Sequence, residues 1–380
     1  MRARGMRGAM AAAMAAGLLG ARFASAAPPP PARCRPSGDG LAHARSVGAL
    51  AVSPDGALLA SGADDRTIKL WSLPDGALRA TLRGPAYVTA LAIDPGGKRL
   101  ASAFGDGTTR LWSLPDGTLL GTFERLPARA QFLQFLSADT LLASTPLPHG
   151  AITVWSVPTR ERLLRLDHKL IGNHPAVDGG RRLVVSSTDL RTITVWSVPD
   201  GRVVASFPGH TSPVLALGLG ADGARLVSAA WDSVRLWDVP SGQSVAIWPR
   251  QGSPAGAAVS SDGSLLAMGS SLTDVEVRSL PSGQVRATLK HPAAVEGLAI
   301  TPDGKRLAVS VTDDSVWLWS LADGAHIATL EGFNAWVFGP ITSRGTLVAS
   351  GGRDAEGTVV AWDLGPGCTA RHLVDPAAGK

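Results

Sequence analysis

Cysteine is all but missing from this chain of 380 residues: Cys34 and Cys368 are the only two, which leaves room for a single disulfide. Tyrosine occurs once, at Tyr87. None of the eight histidines stands at zinc-ligand spacing from another histidine or a cysteine. A composite site drawing one residue from each of several segments stays open, because sequence spacing does not bear on it. The many glycines fall at turn positions, so there is no glycine-rich phosphate loop, and no serine sits in a nucleophile-elbow motif. A basic surface is missing too, despite a formal charge of +5. Arg2, Arg4, Arg7 and Arg22 lie in the first 26 residues with no acid among them; taking those four from 36 leaves 32 basic residues against 31 acidic, about +1. The composition therefore gives no case for nucleic acid, and the scarcity of tyrosine gives none for a base-stacking surface. Beyond residue 26 no apolar run is long enough to span a membrane.

What is present is a repeat. Thr67-Ile68-Lys69-Leu70-Trp71-Ser72-Leu73-Pro74-Asp75-Gly76 returns as Thr108-Thr109-Arg110-Leu111-Trp112-Ser113-Leu114-Pro115-Asp116-Gly117, and again around Trp155, Trp196, Trp237, Trp319 and Trp362. Arg278 takes the Trp place in one further copy. The eight anchors stand 41, 43, 41, 41, 41, 41 and 43 residues apart.

One unit, residues 49–84, reads as four short strands. Ala49–Val52 and Ala57–Gly62 are apolar runs joined by the turn Ser53-Pro54-Asp55-Gly56. Thr67–Ser72 alternates in period two, which suits a strand with one face buried. Leu73-Pro74-Asp75-Gly76 turns into a fourth strand, Ala77–Leu82. A four-stranded sheet of this size cannot bury its own faces, whereas a stack of such sheets can. The expected fold is all-β, a β-propeller of four-stranded antiparallel blades. Eight copies imply eight blades; seven, with one degenerate copy outside the ring, is the alternative. Eleven residues after each anchor stand Leu82, Phe123, Leu166, Phe207, Trp248, Leu289, Leu330 and Leu373, all large and apolar and all expected in the core.

With these residues in view, the chain resembles the WD-repeat β-propellers over roughly residues 41–374. Ser61-Gly62-Ala63-Asp64-Asp65-Arg66-Thr67-Ile68-Lys69-Leu70-Trp71 is similar to that family's third-strand signature. Gly209-His210 matches its Gly-His pair, and Trp237-Asp238 and Trp362-Asp363 its Trp-Asp ending. The resemblance implies a hydrogen-bond chain of His, Ser, Asp and Trp within a blade. It maps onto His210, Ser228, Asp232 and Trp237, and onto His291, Ser310, Asp313 and Trp319. Asp65 and Asp106 keep the turn Asp, whereas His149 and Leu190 stand at that offset in other copies.

Residues 1–26 carry three early arginines, an apolar run from Gly8 to Gly20 and Ala24-Ser25-Ala26, the layout of a secretory signal peptide. An uncleaved anchor is the alternative. Residues 27–40 are a Pro-rich spacer containing Cys34, residues 41–374 the propeller and 375–380 a tail. In an exported chain a Cys34–Cys368 disulfide would latch the ring, contributing roughly 5 kcal/mol for so long a loop. Leu41 and Leu373 both stand at the strand-four offset, so either terminus could supply the outer strand of the last blade.

Asp64-Asp65 and Asp313-Asp314 read as turn caps, with a calcium or acid–base pair as the sharper alternative. The residues that point to function are aromatics outside the structural frame. Tyr87, Phe333 and Trp336 fall in connections between blades, and Trp231 in the turn between strands two and three of blade five. In WD-repeat proteins both kinds of loop lie on one face, so these four are expected to dock a protein partner. The expected function is an exported, periplasmic or extracellular, non-catalytic platform needing no cofactor or metal. A propeller enzyme, lactonase-like or quinone-dependent dehydrogenase-like, would need carboxylates or histidines at the channel mouth. A structural part of an envelope assembly would show an apolar patch on the outer rim.

Overall fold

In the first unit, Val47–Val52, Leu58–Ala63, Thr67–Ser72 and Leu78–Arg83 pair in order as one antiparallel sheet. The turns follow from local chemistry. The Gly56 N–H donates to the Ser53 carbonyl at 2.8 Å while Gly56 takes φ +69°, open to glycine without a Cβ penalty. The Ser53 hydroxyl caps Asp55 at 2.5 Å.

The structure is a computed structural model. It describes residues 32–34, 41–146, 150–167, 176–177, 183–187, 191–249, 257–330, 346–350, 359–363 and 369–375, together with Ala377 and apart from Pro74, Pro199, Ala221, Ser261, Ser270, Ser271, Pro302 and Asp314. Within these residues eight sheets follow one another along the chain, six of four strands, one of five and one of three. The fourth sheet has a first strand of only two residues, Ala176–Val177. First strands adjoin first strands: Val88–Ile93 lies against both Val47–Val52 and Phe132–Ser137. The first sheet also lies against Thr346–Ser350 of the last. This is the radial arrangement of a β-propeller.

Thr67–Ser72 is buried at every position, whereas its alternation suits a strand with one buried face. Radial stacking covers both faces, and the alternation separates two interfaces. Ile68 and Leu70 pack toward the second sheet, with Val88, Leu100, Phe104 and Trp112. Trp71 packs the other way, with Val359 and Leu373 of the last sheet.

The same rule recurs around the ring. In four places the residue eleven after one anchor packs against the anchor of the next blade: Leu82 with Trp112, Phe123 with Trp155, Phe207 with Trp237 and Leu289 with Trp319. The rings of Phe123 and Trp155 are 5.2 Å apart, those of Phe207 and Trp237 5.1 Å. Seven of the eight offset residues are buried. Trp248 is half-buried, and the next anchor explains it: Arg278 stands there, its guanidinium 5.7 Å from the Trp248 ring. In the first seven sheets a bulge falls between the third and fourth strands at the anchor, as at Leu70/Trp71.

The outer slot of the last sheet is filled by Thr369–Leu373, paired antiparallel with Val359–Asp363. The segment at Leu41 lies beside it, and the Asp375 N–H donates to the Leu41 carbonyl at 2.9 Å. Ala32–Cys34 pairs in parallel with Ala328–Leu330, the outer strand of the seventh sheet. Cys368, and with it the Cys34–Cys368 pairing, lies outside the described residues, as do residues 1–26.

Candidate docking face

Antiparallel order within each sheet puts the turn between strands two and three at the same end as the connection to the next blade. A cleft of about 790 Å³ shows the two together: Asp64, Asp65 and Arg66 come from the first blade's turn, and Arg45, Tyr87 and Arg129 from connections.

Two hydrogen-bond chains pin this end of the ring. In blade five the Trp237 indole N–H donates to Ser228 Oγ at 2.8 Å, Ser228 lies 2.7 Å from His210 Nε2, and His210 Nδ1 lies 3.0 Å from the Asp232 carboxylate. Followed from the indole, each donor meets an acceptor, so Nδ1 of His210 carries the proton. Ser212 and Ser233 also donate to Asp232. Burial raises the Asp232 pKa, but these donors outweigh it and hold the carboxyl well below the usual carboxylate range.

Blade one carries the same arrangement, with His43, Ser61, Asp65 and Trp71 in the four places. Trp71 donates to Ser61 at 2.8 Å, Ser61 is 2.7 Å from His43 Nε2, and His43 Nδ1 is 3.1 Å from Asp65. Asp65 is lowered likewise, burial being outweighed by hydrogen bonds from His43 and Thr67. His43 is masked in the sequence because Ala42, not glycine, precedes it. Its distance from the anchor was the usable signal: 28 residues, as for His291 and Trp319 and one more than for His210 and Trp237.

Blade seven departs from the expected chain. The Trp319 indole N–H donates to His291 Nε2 itself at 3.0 Å, and His291 Nδ1 turns to the Thr273 carbonyl of blade six at 3.0 Å. Ser310 therefore bridges nothing, and Asp313 instead caps Ser315 at 2.6 Å. The cause is the anchoring of His291 to blade six through its own backbone N–H, 3.0 Å from the same carbonyl. Trp317 and His326 join the pair, their rings 4.3 Å apart and stacked. Trp317, two residues before its anchor where other blades carry Lys69, Arg110 or Arg235, thus extends an aromatic cluster.

Of the four expected docking residues, Phe333 and Trp336 lie outside the described residues. Tyr87 is 36 % exposed and Trp231 49 % exposed. They sit in blades two and five, so they do not touch one cleft. Tyr87 lies over Gly105, where a Cβ would come within 2.2 Å of its ring, and its hydroxyl accepts from Arg129 Nη1 at 3.1 Å. Trp231 adjoins Asp232 and so rides on the blade-five chain. Leu272, 60 % exposed, occupies the matching turn of blade six.

Among the described residues no group of three His, Cys, Asp or Glu is placed to hold a metal ion, and no helix is long and apolar enough to cross a membrane.

Radial four-stranded sheets whose ends carry these loops define a β-propeller. Four segments of the chain, residues 38–72, 76–113, 201–238 and 283–320, match the family model "WD domain, G-beta repeat". The chain is a WD-repeat β-propeller. Among solved structures it is similar to the crystal structure of the computationally designed Ika8 protein, 23 % identical, covering 88 % of this chain and 98 % of that one with a TM-score of 0.65. At that identity the likeness speaks for the fold alone. None of the curated proteins matches the sequence.

Proposed function

We propose that this propeller is an exported, non-catalytic platform that docks a protein partner on the face carrying Tyr87 and Trp231. One observation carries the reading. The frame tryptophans Trp71, Trp112, Trp155, Trp237 and Trp319 are buried, while Trp231 stands half-exposed on a turn where Asp232 accepts from His210, Ser212 and Ser233 and donates its N–H to Ser212 Oγ. A large aromatic on a rigid loop loses little entropy when a partner covers it, which is the profile of an interface anchor. WD repeats support the platform role more broadly. Residues 1–26 serve as a removable export signal in this reading, and Cys34–Cys368 as a disulfide. The test is co-purification of the exported protein from its native envelope with wild-type, Tyr87→Ala and Trp231→Ala chains, all checked by melting. Loss of a stoichiometric partner in the variants is expected; equal capture by all three removes the surface. Intact-mass measurement under non-reducing conditions checks an N-terminus at Ala27 and the disulfide.

A second reading, lateral packing into an envelope assembly, draws on the rim. Leu119, Leu120, Leu163, Val203, Val204 and Ile247 are exposed on the outer strands of blades two to five. Val203→Asp with Val204→Asp would break that assembly and leave capture at the loop face intact.

A further inference from the structure

The cleft beside Tyr87 is lined by three arginines, Arg45, Arg66 and Arg129. Arg45 and Arg66 make no side-chain hydrogen bond or ion pair with a described residue, and Arg129 reaches only the Tyr87 hydroxyl. Of the two carboxylates in the cleft, Asp65 is committed to His43, Thr67 and the Ala44 N–H. Both carboxylates count against the three arginines, which leaves the cleft one positive charge in excess, with only Asp64 free of these contacts.

The backbone that carries two of these arginines is anchored. Arg45 follows Ala44, whose backbone N–H donates to Asp65 at 3.0 Å, and Arg66 follows Asp65 itself. Arg66 takes φ +68°, a left-handed conformation that disfavours any residue with a Cβ. The matching position in blade two is Gly107, at φ +85°. Blade one thus carries arginine where the backbone favours glycine, strain of a kind found at ligand clamps.

We propose that this cleft binds an acidic peptide segment of the docked partner, its carboxylates pairing with Arg45, Arg66 and Arg129 around the Tyr87 ring. The proposal rests on the reading of this face as a docking surface and names the chemistry of what docks. Guanidinium forks match carboxylates in two-bond geometry. One exposed pair contributes little, so recognition needs several at once, which an extended run of Asp and Glu supplies and a single anion does not.

Fluorescence anisotropy of a labelled hexaglutamate peptide tests this against the full exported chain at low salt. Single Arg→Ala changes at the three positions should each weaken binding about two- to five-fold. Arg45→Glu with Arg129→Glu should weaken it more than about ten-fold, and binding should fall as salt screens the pairs. Arg66→Gly suits the backbone, so its loss of binding cannot be put down to misfolding. Lys98→Glu, on the opposite face of the same pair of blades, should leave binding unchanged. Equal binding by the charge-reversed chain, or equal affinity for a hexaglutamine peptide, overturns the proposal. So does tighter binding of oligothymidylate or of inorganic phosphate. If hexaglutamate fails while Tyr87→Ala and Trp231→Ala still abolish partner capture, the acidic segment is refuted and the docking face stands. If hexaglutamate binding depends on the arginines while capture ignores both aromatics, the cleft stands and the docking face falls.

Discussion

Lys69 and Asp375, 306 residues apart, form an ion pair across the closure of the ring. The Lys69 side chain is 4 % exposed and that of Asp375 13 %. The ammonium also donates to the Ala42 carbonyl at 2.6 Å, so one cation ties the third strand of blade one to both terminal segments. Asp375→Asn leaves that ammonium buried and uncompensated, and should cost roughly 3 kcal/mol. Lys69→Met with Asp375→Leu should recover most of the loss, because an apolar pair needs no compensation. Urea midpoints of the wild type and the two variants check this. Equal destabilisation by the single and double changes would show that the pair does not hold the closure.

Ser228 and Ser310 stand at matching places in blades five and seven and should behave differently. Ser228 Oγ accepts from Trp237 and serves His210, so Ser228→Ala leaves two buried polar groups without a partner, at about 2–3 kcal/mol. Ser310 bridges nothing, since Trp319 meets His291 directly, and Ser310→Ala should cost under about 0.5 kcal/mol. Equal costs would restore the expected chain in blade seven.

The repeat was legible because each strand must serve two interfaces, and the same spacing solves that problem in every copy. The offset of eleven residues therefore located Phe123 and Phe207 without knowledge of their partners. Trp317 was not legible: it owes its place to His326 and His291, which meet it only once strands three and four are paired. The arginine cleft was hidden for a related reason. Arg45, Arg66 and Arg129 belong to a turn and two separate connections, and only the ring packing unites them. His43 was masked by a missing glycine, although its spacing to Trp71 carried the information.

Acid should act on the histidines before the carboxylates. Burial lowers the pKa of His210, His291 and His326 below the ordinary 6.5. As pH falls through about 6.5, the unfolded chain binds protons that the folded rings refuse, and stability declines until the lower folded values are reached. Each histidine adds a slope of at most about 1.4 kcal/mol per pH unit in that window. Asp65 and Asp232 are held low, so their contribution is complete above the ordinary 3.8 and is lost only further into acid. His291→Gln keeps an acceptor for Trp319 and removes one titrating ring. Its stability should vary less steeply than that of the wild type between pH 6.5 and 5, measured by urea midpoints at half-unit steps; an unchanged slope would exclude His291 as a contributor.

Blade six replaces the anchor tryptophan by Arg278, and the replacement extends to its neighbours. Arg278 Nη2 pairs with Glu276 at 2.5 Å, and the ring over its guanidinium is Trp248, supplied by blade five. In blades two and five an aliphatic or phenyl side chain meets the anchor tryptophan, and two residues before that tryptophan stands Arg110 or Arg235, packed beside it. The indole has moved across the interface from one blade to the next, and the cation has moved with it. Arg278→Trp alone should set two indoles against each other and strand the Glu276 carboxylate, costing roughly 2–4 kcal/mol. Trp248→Leu, Glu276→Arg and Arg278→Trp together rebuild the arrangement of blade two and should come within about 1 kcal/mol of the wild type. A triple variant no more stable than the single one, by urea midpoint, would mean that the indole and the cation are not exchangeable across this interface.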